Sequence, residues 1–252
     1  MIRATATSDN NVGRRRGPRT TGRGRGAEHR ERSDMTTAGE SKRAAQGLGR
    51  ALMLGAVLVL GGCVSLEQEY PDKRFFVLTA RRTEPRRSAV AGARLKVQGL
   101  RITPRSEGRE LVLKTGAEEY RSDYYANWFT EPSALASEAT LAWMTDCGLF
   151  ELVVDGGSSV TGTHSLEGAV TDLHADLTGE PAAVVGLQLV LMVVEHGRPR
   201  PIFHSRERVR VPLAGTTPEA IAEGLNAGLA KALAAFESKL VKRGLPGTVK
   251  PG

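Results

Sequence analysis

Two cysteines in 252 residues leave no room for a disulfide framework, so a folded domain in this chain must be held by its core. The apolar run from Ala51 to Leu60, extended by Gly61 and Gly62, stops at about a dozen residues, short of the ~20 that a spanning helix needs. A transmembrane anchor is therefore disfavoured. The chain also shows no phosphate-cradling glycine loop, no zinc-spaced Cys/His set and no nucleophile placed beside a base, which removes the commonest signatures of an enzyme. Neither a catalytic residue nor a cofactor is expected. Aromatic residues make up only 5% of the chain, so any place where they gather is informative.

What the chain does have is Leu60-Gly61-Gly62-Cys63 directly after that apolar run. It resembles a bacterial lipobox, in which a signal peptidase recognises Leu60, Gly61 and Gly62 and Cys63 becomes the lipidated first residue of the mature protein. Lys42, Arg43 and Arg50 supply the basic flank of an export signal. Residues 1–62 are then a leader and 63–72 a lipidated tether. Within the leader, 1–34 is rich in Arg and poor in apolar residues and is expected to be disordered. A nucleic-acid arm, a twin-arginine signal and a start of translation at Met35 compete to explain it, and Met35 leaves 35–62 as a signal of ordinary length.

The cut changes the meaning of the charge. The leader holds 12 of the 35 Lys and Arg and 5 of the 28 Asp and Glu, so the formal +7 belongs to the leader and the remainder is balanced. No nucleic-acid partner is expected. With Cys63 acylated, Cys147 has no partner in the chain, and its place at the end of a helix points to a buried, inert thiol. Val64 and Ser65 carry no charge, so the aspartate that favours inner-membrane retention is missing. The expected location is the periplasmic face of the outer membrane, with the inner membrane as the alternative.

The folded domain is expected over 73–244, with 245–252 a disordered tail. Arg74 to Leu78, Arg94 to Ile102 and Glu110 to Lys114 read as strands, the second by clean period-two alternation. Arg81 to Gly92, with Pro85, Arg86 and Arg87, reads as an exposed loop. A helix capped by Thr130 and begun at Pro132 should end at Gly148. Four strand-like runs follow, of which Val184 to Val194 is apolar at nearly every position. The last helix begins at Thr217-Pro218 and carries Ile221, Leu225, Leu229, Leu233, Phe236 and Leu240 as one stripe. Three strands, a helix, four strands and a helix predict an α+β fold: two layers, a mostly antiparallel sheet with both helices on one face.

Three clusters could carry function. Asp172, His174 and Asp176 alternate along one strand and could present two carboxylates and an imidazole on one face, the basis of a metal-dependent hydrolase reading; a solvated strand face has the same pattern. Arg206, Arg208 and Arg210 form a basic ladder that suits lipid headgroups or an acidic partner, or a plain exposed face. Five of the twelve aromatic residues, Tyr120, Tyr124, Tyr125, Trp128 and Phe129, fall within ten positions. Tyr124, Tyr125, Trp128 and Phe129 suit a lipid or partner interface, and equally a plug that seats the helix on the sheet.

Over Tyr120 to Val154, the acidic-aromatic lead-in, Trp128, Glu131-Pro132 and Gly148-Leu149-Phe150 occur in an order that resembles the ABC-type transport auxiliary lipoproteins, which include the paraquat-inducible protein C group. Ser133 and the Ala-rich helix depart from the commoner sequences. The resemblance implies a non-enzymatic periplasmic lipoprotein working beside an ABC permease and an MCE-domain carrier in phospholipid transport, with phospholipid contact and an oligomer both open. A structural or assembly lipoprotein of the envelope is the alternative.

Overall fold

Alternation along the chain builds the sheet, and a long apolar stripe closes it. The computed structural model describes residues 72–245; they fall within one unit, Glu69–Gly252. The leader 1–62, Leu60, Gly61, Gly62 and Cys63, the tether as far as 71 and the tail from 246 lie outside the described residues. The strands are β1 (Arg74–Phe76), β2 (Val90–Val97), β3 (Arg101–Ile102), β4 (Glu110–Lys114), β5 (Tyr120–Trp128), β6 (Phe150–Asp155), β7 (His164–Asp176), β8 (Ala182–Glu195) and β9 (Arg198–Pro212). Helix α1 (Pro132–Cys147) lies between β5 and β6, and α2 (Pro218–Arg243) follows β9.

Strand β7 organises the sheet. One edge pairs with β8 along almost its whole length, antiparallel. The opposite edge is shared in succession by three short strands, all parallel to β7: β2 at His164–Leu166, β3 at Ala169–Val170 and β4 at Ala175–Asp176. From there β2 continues to β6 in parallel, β4 to β5 antiparallel, and β5 to β1 in parallel. Beyond β8 lies β9, again antiparallel. Five of the eight pairings are thus parallel, and the nine strands form one mixed sheet curled into a half-barrel. This corrects the expected two-layer, mostly antiparallel arrangement. Period-two alternation reports which face of a strand is buried, and says nothing about the direction of its neighbour.

Individual elements follow their residues more closely. In β2, Ala93, Leu95 and Val97 are buried while Arg94 and Lys96 point away. The apolar run in β8 is buried at nearly every position from Ala182 to Met192, between antiparallel neighbours on both sides. The α2 stripe is complete: Ile221, Leu225, Leu229, Leu233, Phe236 and Leu240 are each at most 2% exposed. Burying such side chains contributes roughly 1.5–3 kcal/mol each relative to exposure. Thr217 caps α2 by accepting from the Ala220 N–H. Helix α1 departs from expectation at its start: Glu131, not Thr130, is its N-cap residue, and no side chain caps it. It ends as expected at Gly148, whose φ of 74° belongs to the left-handed region.

One glycine sets the contact between β7 and β8. A Cβ built on Gly168 of β7 would lie 2.3 Å from the backbone oxygen of Gln188 in β8. Backbone cannot yield as a side-chain tip can. Gly168→Ala is therefore expected to lower stability by about 1–3 kcal/mol through overpacking, read as a fall in the urea midpoint, whereas Gly179→Ala, with open space around the position, should leave the midpoint almost unchanged.

Candidate interaction surface

Strand β5, read from sequence as an aromatic lead-in to the helix, splits its aromatic residues between surface and core. Glu110 of β4 faces Asn127 and Leu111 faces Asp123, so Tyr124, Tyr125 and Ala126 are extra residues in a three-residue bulge. The bulge is held locally: the Asp123 carboxylate accepts from the N–H groups of Tyr125 (2.9 Å) and Ala126 (3.1 Å), and the Asn127 amide donates to the Tyr124 carbonyl (3.1 Å). Its effect is to turn Tyr124 outward, where it is 63% exposed with the Lys73 ammonium 4.0 Å from its ring centre. Tyr125 is half-buried edge-on against Tyr124. Trp128 points inward at 2% exposure, and Phe129 is 65% exposed.

Phe75 completes this face and was not anticipated. It sits on β1, which among the described residues pairs only with β5, and is 53% exposed. Arg109 joins it to Phe129: the guanidinium lies 5.8 Å from the Phe75 ring, donates to the Trp128 carbonyl (3.2 Å) and also to that of Phe129. Phe75, Tyr124 and Phe129 thus project from one sheet edge with Lys73 and Arg109 laid over two of the rings. The signal in sequence was a run of aromatics bounded by Lys73 and Arg74, and it was read only as a strand.

The Asp172, His174 and Asp176 cluster does share a face of β7, and that face is occupied by arginines. Asp172 pairs with Arg105 (3.3 Å) and Arg208 (3.7 Å), and Asp176 with Arg210 (2.6 Å). Arg206 reaches the Gln188 side chain. The basic ladder on β9 and the acidic one on β7 therefore face each other across β8. His174 between them is 1% exposed, with Tyr120 edge-on at 5.4 Å and its Nδ1 without a hydrogen-bond partner among the described residues. Burial pushes its pKa down, which disfavours the charged ring. Among the described residues no three His, Cys, Asp or Glu side chains are grouped to hold a metal ion.

Asp176 is held well below the usual carboxylate range, first by the Thr178 hydroxyl and then by Arg210. A depressed folded pKa contributes stability that is present above the unfolded value near 3.9 and is lost as pH falls below it. Asp176→Asn is expected to weaken the domain near pH 7 and to flatten the loss of stability below about pH 4, measured by denaturant unfolding across pH.

A second charged cluster escaped the sequence reading. Glu237 of α2 is 2% exposed and accepts from Arg82 through two bonds of 2.9 Å, from Arg87 at 2.7 Å and from the Trp143 indole at 3.0 Å. The Arg82 side chain is 4% exposed. Most of the loop before β2, Pro85 and Arg86 included, is exposed as expected, but Arg82 and Arg87 reach inward and tie it to both helices. Cys147 lies beside this cluster, fully buried, and burial raises its thiol pKa. A raised pKa removes thiolate character.

No family model matches this chain, and no curated protein matches it. Among solved structures, protein XCC0632 from Xanthomonas campestris, described as DUF330, matches with a TM-score of 0.55 at 15% identity, over 65% of this chain and 92% of its own. A second, described only as an uncharacterized protein, matches with a TM-score of 0.53 at 14% identity, over 67% of this chain and 98% of its own. At these identities the likeness is one of fold. The neighbours are described as DUF330 or uncharacterized and not as paraquat-inducible or MCE-associated proteins, so the resemblance drawn over Tyr120 to Val154 to the ABC-type transport auxiliary lipoproteins is not upheld.

Proposed function

We propose that this chain is a non-enzymatic lipoprotein, anchored through Cys63 at the periplasmic face of the outer membrane, whose domain serves as a docking component of an ABC-type, MCE-linked phospholipid transport system. The observation that carries the docking role over a catalytic one is the state of its most reactive-looking cluster. Both carboxylates that flank His174 are taken up by Arg105, Arg208 and Arg210, and the imidazole is closed beneath Tyr120. Groups so committed build a surface and offer no acid or base to a substrate. The lipobox-like Leu60-Gly61-Gly62-Cys63 supports the anchor, and no family membership is assumed.

Crosslinking of the mature lipoprotein in intact cells, followed by its purification, tests the role. Recovery of an MCE-domain carrier or its ABC permease is the expected result. Recovery of cell-wall or envelope-assembly proteins without either would sink the transport role and leave a structural envelope lipoprotein.

A further inference from the structure

We propose that Phe75, Tyr124 and Phe129, with Lys73 and Arg109, form a lipid-facing surface that lays this end of the domain on the phospholipid headgroups of the leaflet holding the Cys63 anchor; this rests on the lipid-anchor reading above.

Three large aromatic side chains lie 53–65% exposed along one sheet edge. Their neighbour Trp128, one position from Phe129, is fully packed, so the core had room for an aromatic of this segment and the bulge at Tyr124 sends another outward. Tyr124 is amphipathic and gains at a boundary between dry and wet surroundings, while Phe75 and Phe129 add purely apolar area beside it. The cations add the second half of such a boundary. Lys73 over Tyr124 and Arg109 over Phe75 lie against ring faces while both residues remain exposed, which leaves their charge within reach of headgroup phosphate. Asp72 and Glu131 are exposed close by in sequence, while Asp123 is turned onto the N–H groups of its own bulge. In formal count, Asp72 and Glu131 offset Lys73 and Arg109. Aromatic area, more than net charge, must drive its contact with lipid, which suits a leaflet rich in zwitterionic headgroups.

Chain length points to the same leaflet. Roughly ten residues separate Cys63 from Lys73, a reach of at most ~35 Å when fully extended, and β1 is the first described element after the anchor. The edge that carries Phe75 is the part of the domain nearest in sequence to the acyl chains.

The test uses the processed, full-length lipoprotein in vesicles of phosphatidylethanolamine and phosphatidylglycerol. It carries p-benzoylphenylalanine in place of Phe75, Tyr124 or Phe129 in turn, with Leu152→p-benzoylphenylalanine on β6 as the comparison, since Leu152 is also an exposed apolar residue at 40%. After irradiation, the three patch positions should yield several-fold more phospholipid adduct than position 152. Lys73→Glu should lower the yield at 124, because it puts a carboxylate where a cation met phosphate. Equal yields at all four positions, or adducts between two copies of the protein in place of lipid, would overturn the proposal while leaving the anchor intact. Fatty-acid labelling of the same preparations is read separately, and its absence would overturn the anchor reading and this proposal together.

Discussion

Glu237→Ala should destabilise the domain by about 3–5 kcal/mol, the cost of leaving a buried ion pair without one partner. The substitution strands Arg82, whose side chain is 4% exposed, and removes the acceptor of the Trp143 indole. Arg87, at 36% exposure, can recover water, so its share of the loss is smaller. Glu237→Gln keeps the shape and an acceptor oxygen, and should cost less than the alanine variant. Burial by itself would raise the Glu237 pKa, but hydrogen bonds from Arg82 and Arg87 outweigh it and hold the carboxyl below its ordinary value. Its contribution is therefore complete above the unfolded value near 4.3 and fades as pH falls through the lowered folded one. Urea unfolding of wild type and both variants at neutral and acid pH checks size and sign together, and an alanine variant within 1 kcal/mol of wild type would show that the cluster is not the tie described here.

The second large effect separates two neighbours. Trp128→Ala should cost about 3–5 kcal/mol, because it empties a core position that is 2% exposed and packed beneath the β1 and β5 edge. Phe129→Ala, at 65% exposure, should change folding stability by no more than ~0.5 kcal/mol. Paired denaturation curves decide the matter. Comparable losses from both would mean that Phe129 is a packing residue and that the aromatic face is smaller than described.

These neighbours also show what sequence can and cannot say. Clustering of scarce aromatics marked the region, but whether a given ring faces core or solvent depends on the three-residue bulge in β5, and nothing in the local pattern announces a bulge held by Asp123 and Asn127. Helix α2 is open to reading because its Thr217-Pro218 start and its apolar periodicity agree along 26 residues. The sheet was harder. Strands β2, β3 and β4 each show a burial pattern, yet their shared use of one edge of β7 is a long-range pairing that alternation does not encode. The Arg82, Arg87 and Glu237 cluster was hidden for a related reason, since its partners stand 150 or more residues apart and arginines in a proline-containing loop read as solvated. The ladder of Arg206, Arg208 and Arg210 is visible in sequence, and so is the alternation of Asp172, His174 and Asp176, but neither a metal site nor a solvated face describes the acidic side, because the alignment of the two strands across β8 is not encoded locally.

The most direct measurement of the central claim is density-gradient fractionation of cells grown with labelled palmitate. A mature, labelled protein should sediment with outer-membrane markers, and Cys63→Ala should carry no label and persist as unprocessed precursor. A labelled Cys63→Ala protein, or wild type found unlabelled or with inner-membrane markers, would contradict that claim.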